Sequence, residues 1–138
     1  MQARDANWLF LNCCERHPGV PAGCNKWCHF DRFTQNTLTA LALSSDPTCP
    51  KSVAGSFFWC AGFGVDHRPQ CRQAGVHLTL AGERCVDLCN LTHGTQIFVS
   101  FQHLPCWGML ERIKTVFRMY AGRKLALNPN FIVGNGAA

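Results

Sequence analysis

No apolar run of about 18 residues or more occurs in the chain. The longest candidates are broken by Gly, Cys or polar groups, which excludes a membrane-spanning helix. No Cys-x-x-Cys is present, nor a nucleophile elbow, a phosphate-binding loop or a paired-carboxylate pattern. The usual signatures of redox, hydrolytic and phosphoryl-transfer enzymes are thereby missing, and neither catalysis nor a cofactor is expected. No acid follows Glu111, although Arg112, Lys114, Arg118, Arg123 and Lys124 all lie beyond it. The segment Met1-Gln2-Ala3-Arg4-Asp5 has no basic start leading into an apolar stretch, so the expectation is that a secretion signal was removed and a methionine added.

Cysteine and phenylalanine, by contrast, are plentiful. Ten Cys in 138 residues is an even number at a density typical of oxidising compartments. The expected location is therefore secreted and extracellular, with Cys13, Cys14, Cys24, Cys28, Cys49, Cys60, Cys71, Cys85, Cys89 and Cys106 all in disulfides. Asn90-Leu91-Thr92 is the only N-glycosylation sequon, and it makes Asn90 a candidate glycan acceptor. Ten Phe and four Trp supply core material for one domain, and a 47% hydrophobic composition argues against disorder.

Hydrophobic spacing reads as helix nearly throughout. Asp5 to His17 predicts a first helix stopped at Pro18-Gly19. Ala22 to Leu43 predicts one helix, or two short ones broken near Asp31. Ser44 to Pro50 is turn chemistry, and Val53 to about Phe63 reads as helix. Gly64 to Gly82 is expected to be mostly loop, with His77-Leu78-Thr79-Leu80 as a brief strand. Glu83 to Leu91 suits a short helix, while Gly94 to Phe101 fits strand or helix equally. A last helix starts near Pro105, carries the stripe Cys106, Met109, Leu110, Ile113, Val116, Phe117 and Tyr120, and is expected to stop at Gly122. The fold class is then all-α, with four to six short helices. Residues 1–122 form a single disulfide-rich domain and 123–138 a C-terminal tail, in which Phe131, Ile132 and Val133 supply docking groups.

Spacing also constrains the cysteines. Residues four apart on a helix have Cβ atoms about 5 to 6 Å apart, whereas a disulfide needs about 3.5 to 4.5 Å. Cys24 with Cys28, and Cys85 with Cys89, should each cross-link to neighbouring segments instead of to each other. Adjacent Cys13 and Cys14 diverge by about 100° on a helix and should reach two different places. A competing reading takes Cys24, Cys28, His29, Cys85, Cys89 and His93 as a pool of zinc ligands, which leaves six other cysteines unexplained.

Cys13-Cys14-Glu15-Arg16-His17 resembles the opening of the active-site helix of secreted phospholipases A2. Pro18 stands where the aspartate of that pattern belongs, and no glycine-rich calcium loop precedes it, so that chemistry is unsupported. Asp66-His67 reads as a turn, because adjacent residues rarely face each other for proton transfer.

The order Cys13-Cys14, Cys24-x3-Cys28, Cys49-Pro50, Phe58-x-Cys60-Ala61, Gly64-x-Asp66-His67, Gln70-Cys71, Gly75-Val76, Cys85-x-Asp87-x-Cys89 and Cys106 resembles the DB module. This is a cysteine-rich extracellular domain known mainly from nematodes, and the resemblance runs from about Asn12 to about Tyr120. It implies secretion and no known chemistry. The chain departs from the family at Gln70 and near Val116, where cysteines are usual, which suggests the two ends of one absent bridge.

The function expected first is a protein-interaction or structural matrix module that self-associates or binds an extracellular protein. A carrier of an apolar ligand is the second reading, motivated by the aromatics. A binder of sulfated polysaccharide through Arg112, Lys114, Arg118, Arg123 and Lys124 is the third. No nucleic-acid partner is expected.

Overall fold

The computed structural model describes residues 4–43, 48–92 and 101–133. Among them the chain is all-α, with one isolated antiparallel bridge between Asp66 and Asn90 in place of any strand. The α-helices are α1 (Ala6–Arg16), α2 (Gln35–Leu43), α3 (Ala54–Ala61), α4 (Arg68–Gln73), α5 (Glu83–Asp87) and α6 (Leu110–Leu127). Three 3₁₀ helices, Ala22–Trp27, Lys51–Val53 and Phe101–Met109, connect them.

The start of α1 follows from Asp5, whose carboxylate accepts the Trp8 N–H at 2.8 Å as an N-cap. The helix buries Leu9, Phe10, Cys13 and Cys14 against α3, which in turn buries Phe57, Phe58, Cys60 and Ala61. Phe33 is the centre of this packing. Its ring meets those of Phe10, Phe57 and Phe58 at 5.8, 6.1 and 5.1 Å, all edge to face. This arrangement sets ring edges against ring faces and adds to the hydrophobic gain. α6 closes the core with Leu110, Ile113, Val116, Phe117 and Ala121.

All ten cysteines are paired. Cys13 bonds Cys60 and Cys14 bonds Cys28, so the adjacent pair reaches two different segments. Cys24–Cys49, Cys71–Cys89 and Cys85–Cys106 complete the set. With its four cysteines in separate bridges, the zinc pool is dissolved; of its two histidines, His29 accepts the Asp31 N–H at 3.0 Å and His93 lies outside the described residues.

Several expectations about local structure are corrected. Of the two alternatives for Ala22 to Leu43, the broken one holds: a 3₁₀ helix and α2 are separated by turns around Asp31. The stretch from Gly64 to Gly82 contains α4, because Asp66 accepts the Arg68 N–H at 3.0 Å and Pro69 sits in the first turn, where a missing N–H costs nothing. His77 to Leu80 is a turn, not a strand: Thr79 takes the Ala81 N–H on its hydroxyl and the Gly82 N–H on its carbonyl. The last α-helix begins at Leu110, after a 3₁₀ run that contains Pro105. Gly122 does not end it. The helix continues to Leu127 and stops because Pro129 forces Asn128 into an extended conformation, φ −147°. The expected elements at 44–47 and 94–100 lie outside the described residues.

Candidate functional site

α4 and its C-cap present Gln70, Gln73 and Ala74 on one side, the i, i+3, i+4 spacing of a single helical face. α6 presents Arg112, Thr115, Val116, Met119 and Arg123 toward it. Between the two helices runs an open groove of about 530 Å³. Val116 is buried, whereas Met119 is 59% exposed, a large value for so apolar a side chain.

Arg112 is fixed at one end. Its guanidinium donates to the Ala74 carbonyl at 2.8 Å, and a Cβ on Gly75 would lie 3.2 Å from the same nitrogen. Gly75 also has φ +82°, a conformation costly for other residues, so glycine serves both the turn and the passage of Arg112. Leu78, 68% exposed, borders this turn. Arg123, at the other end, makes no hydrogen bond or ion pair among the described residues. Its charge is felt at His67 and Tyr120, where it opposes the positive form of the first and favours the anion of the second.

No carboxylate lines the groove. The nearby arginines of α4 are already neutralised: Arg68 pairs with Asp66 at 2.9 Å and Arg72 with Glu83 at 2.7 Å. Arg112 and Arg123 therefore leave a net positive, partly apolar trough.

The five cations of α6 do not form one patch. A turn of about 100° per residue sets Lys114 and Arg118 on the side of the helix away from Arg112 and Arg123. Lys114, expected at the surface, is 2% exposed, and its ammonium donates to the Phe33 carbonyl and to Glu111, both at 2.9 Å. Arg118 lies over the Phe30 ring and Lys124 over Tyr120.

Asp66 and His67 serve architecture. Hydrogen bonding from Arg68 holds the Asp66 carboxyl below its usual range. His67 is buried, with its backbone N–H on the Cys89 carbonyl at 2.7 Å and its ring beside Phe117 and Tyr120. Asn90 is half-buried, and its side-chain oxygen accepts the Thr92 hydroxyl at 2.9 Å. In the C-terminal segment Val133 is buried and Phe131 half-buried, while Ile132 remains 37% exposed and is not a docking group. Backbone bonds explain the difference. Arg16 holds the Val133 carbonyl at 3.1 Å and Arg4 the Phe131 carbonyl at 3.1 Å, which orients the side chains of 131 and 133 inward and that of 132 outward.

The family model of the DB module matches residues 13–117, about three quarters of the chain. The chain belongs to the DB module family. No curated protein and no solved structure matches it. For this DB module, no group of three or more His, Cys, Asp or Glu that would hold a metal occurs among the described residues, and no described helix is long and apolar enough to cross a membrane. Of the aromatics that motivated an apolar carrier, Phe10, Phe30, Phe33, Phe57 and Phe58 pack on one another, Phe117 packs on His67, and all six are fully buried. Sequence reasoning named Arg112 and Arg123 and set Gln70 opposite Val116, but it missed Gln73 and Met119, since α4 itself went unread.

Proposed function

We propose that this DB module is a secreted, non-catalytic interaction domain whose protein partner docks on the face made by α4, the turn at Gly75 and α6. The observation that carries the reading is the pair of arginines without carboxylate partners flanking an exposed methionine in a groove. Apolar side chains beside arginine are the composition of protein interfaces, and a single exposed apolar residue alone would carry nothing. Five disulfides suit an extracellular setting and keep the face preformed, which lowers the entropic cost of binding.

A photoreactive amino acid placed at Met119 in the oxidised chain tests this in native extracellular fluid. Discrete protein adducts are expected at position 119 and not at a control position, the exposed Asp31. Equal adducts from both positions, or none from either, would refute the reading.

A further inference from the structure

We infer that the groove takes an extended peptide segment carrying two acidic side chains four residues apart with an apolar side chain midway between them. The inference rests on the interaction reading above and specifies its partner.

Arg112 and Arg123 are eleven residues apart, which places their Cα atoms about 16 Å apart along α6 and within about 20° around its axis. They face one groove from its two ends. An extended chain advances about 3.3 Å per residue, so acids at i and i+4 span about 13 Å and project to the same side. The Arg123 side chain, which makes no hydrogen bond among the described residues, covers the remainder. A residue at i+2 projects to that side as well, toward Val116 and Met119. The Gln70 and Gln73 side chains make no hydrogen bond among the described residues, and they offer donors and acceptors to a peptide backbone lying along α4. The Thr115 hydroxyl is already given to the Glu111 carbonyl at 2.8 Å, so its contribution to the groove is its methyl group. A sulfated polysaccharide matches the two charges but has nothing apolar to place against Met119.

The test is titration of the oxidised, isotopically labelled full chain with the capped peptide GEALAEG, followed by NMR. Perturbations are expected at Gln70, Gln73, Val116 and Met119, with binding at least tenfold weaker for GEEALAG, whose acids are adjacent, and for neutral GQALAQG. The double variant R112Q/R123Q should lose the same affinity. Met119→Glu gives a second variant at an exposed position that leaves the core untouched, and it should bind more weakly by charge repulsion. Equal binding of the three peptides, perturbations confined to another surface, or displacement of GEALAEG by a heparin tetrasaccharide at equal concentration would each overturn the inference. If the peptide fails while the chain still cross-links a protein at position 119, the acidic-peptide assignment falls and the interaction reading stands. If both fail, both fall.

Discussion

The imidazole of His67 donates through Nε2 to the Gly62 carbonyl at 2.6 Å while its ring packs against Phe117 and Tyr120. Burial pushes its pKa below 6.5, the Gly62 bond and the Asp66 charge oppose that shift, and Arg123 reinforces it. Well above pH 6.5 the imidazole is neutral in both folded and unfolded chains. As pH falls below that value the unfolded chain takes up a proton that the folded chain resists, so stability declines until the lowered folded pKa is passed. The denaturation midpoint of the oxidised protein should therefore fall from pH 7.5 to pH 5. In His67→Gln the fall should be smaller but not absent, because His17, also lowered by burial, still contributes with the same sign. An identical pH dependence in the variant would show that His67 is not the source.

Lys114 should matter to stability and not to anion binding. Lys114→Met leaves the buried Phe33 carbonyl without its donor, which costs about 1 to 3 kcal/mol. Glu111→Gln, at a carboxylate 70% exposed, should cost less than about 1 kcal/mol. Retention of folded Lys114→Met on heparin should match the parent chain, because the ammonium faces the interior.

Gly62 is required for space. A Cβ there would lie 1.9 Å from Leu91 Cδ1 and 3.2 Å from the Phe117 ring. The Gly62 backbone has an ordinary φ of −97°, so the obstacle is packing. Gly62→Ala should destabilise by about 1 to 3 kcal/mol, as overpacked cores do. Chemical denaturation would show it as a lower midpoint with unchanged slope.

Gln70 and Val116 face the same groove from α4 and α6, the two places where the family resemblance expects cysteines. Gln70→Cys with Val116→Cys should form a sixth bridge, leave no alkylatable thiol in the native protein and keep the other five pairings. A gain of about 2 to 4 kcal/mol is expected from restricting the unfolded chain. Two free thiols in the folded double variant would disprove the pairing.

The legible parts of this fold were those with local causes. Asp5 as cap and Pro18 as stop bound α1, and the 100° divergence of neighbouring helical residues sent Cys13 and Cys14 to separate partners. α4 was hidden because Gly64, Pro69 and Gly75 look like loop punctuation. Its contacts with α5 and α6 and the Cys71–Cys89 bridge add to the Asp66 bond and Pro69 in giving these six residues reason to be helical. Gly122 sits on the solvent side with open space around it and so exerts no terminating force. The burial of Lys114 depends on the Phe33 carbonyl, 81 residues away in sequence, which no local pattern encodes.

The bridges fall into two closed sets, Cys13–Cys60, Cys14–Cys28 and Cys24–Cys49 before residue 61, and Cys71–Cys89 and Cys85–Cys106 after residue 70. No sulfur crosses between them. A protease that nicks the chain anywhere inside either set leaves one covalent molecule, visible as two pieces only after reduction. A single nick between Cys60 and Cys71 would instead free two separately cross-linked fragments, held together only by packing and by such bonds as His67 N–H to Cys89. The ten residues from Ala61 to Gln70 are thus the stretch at which a single cut parts the two cross-linked sets without a reductant.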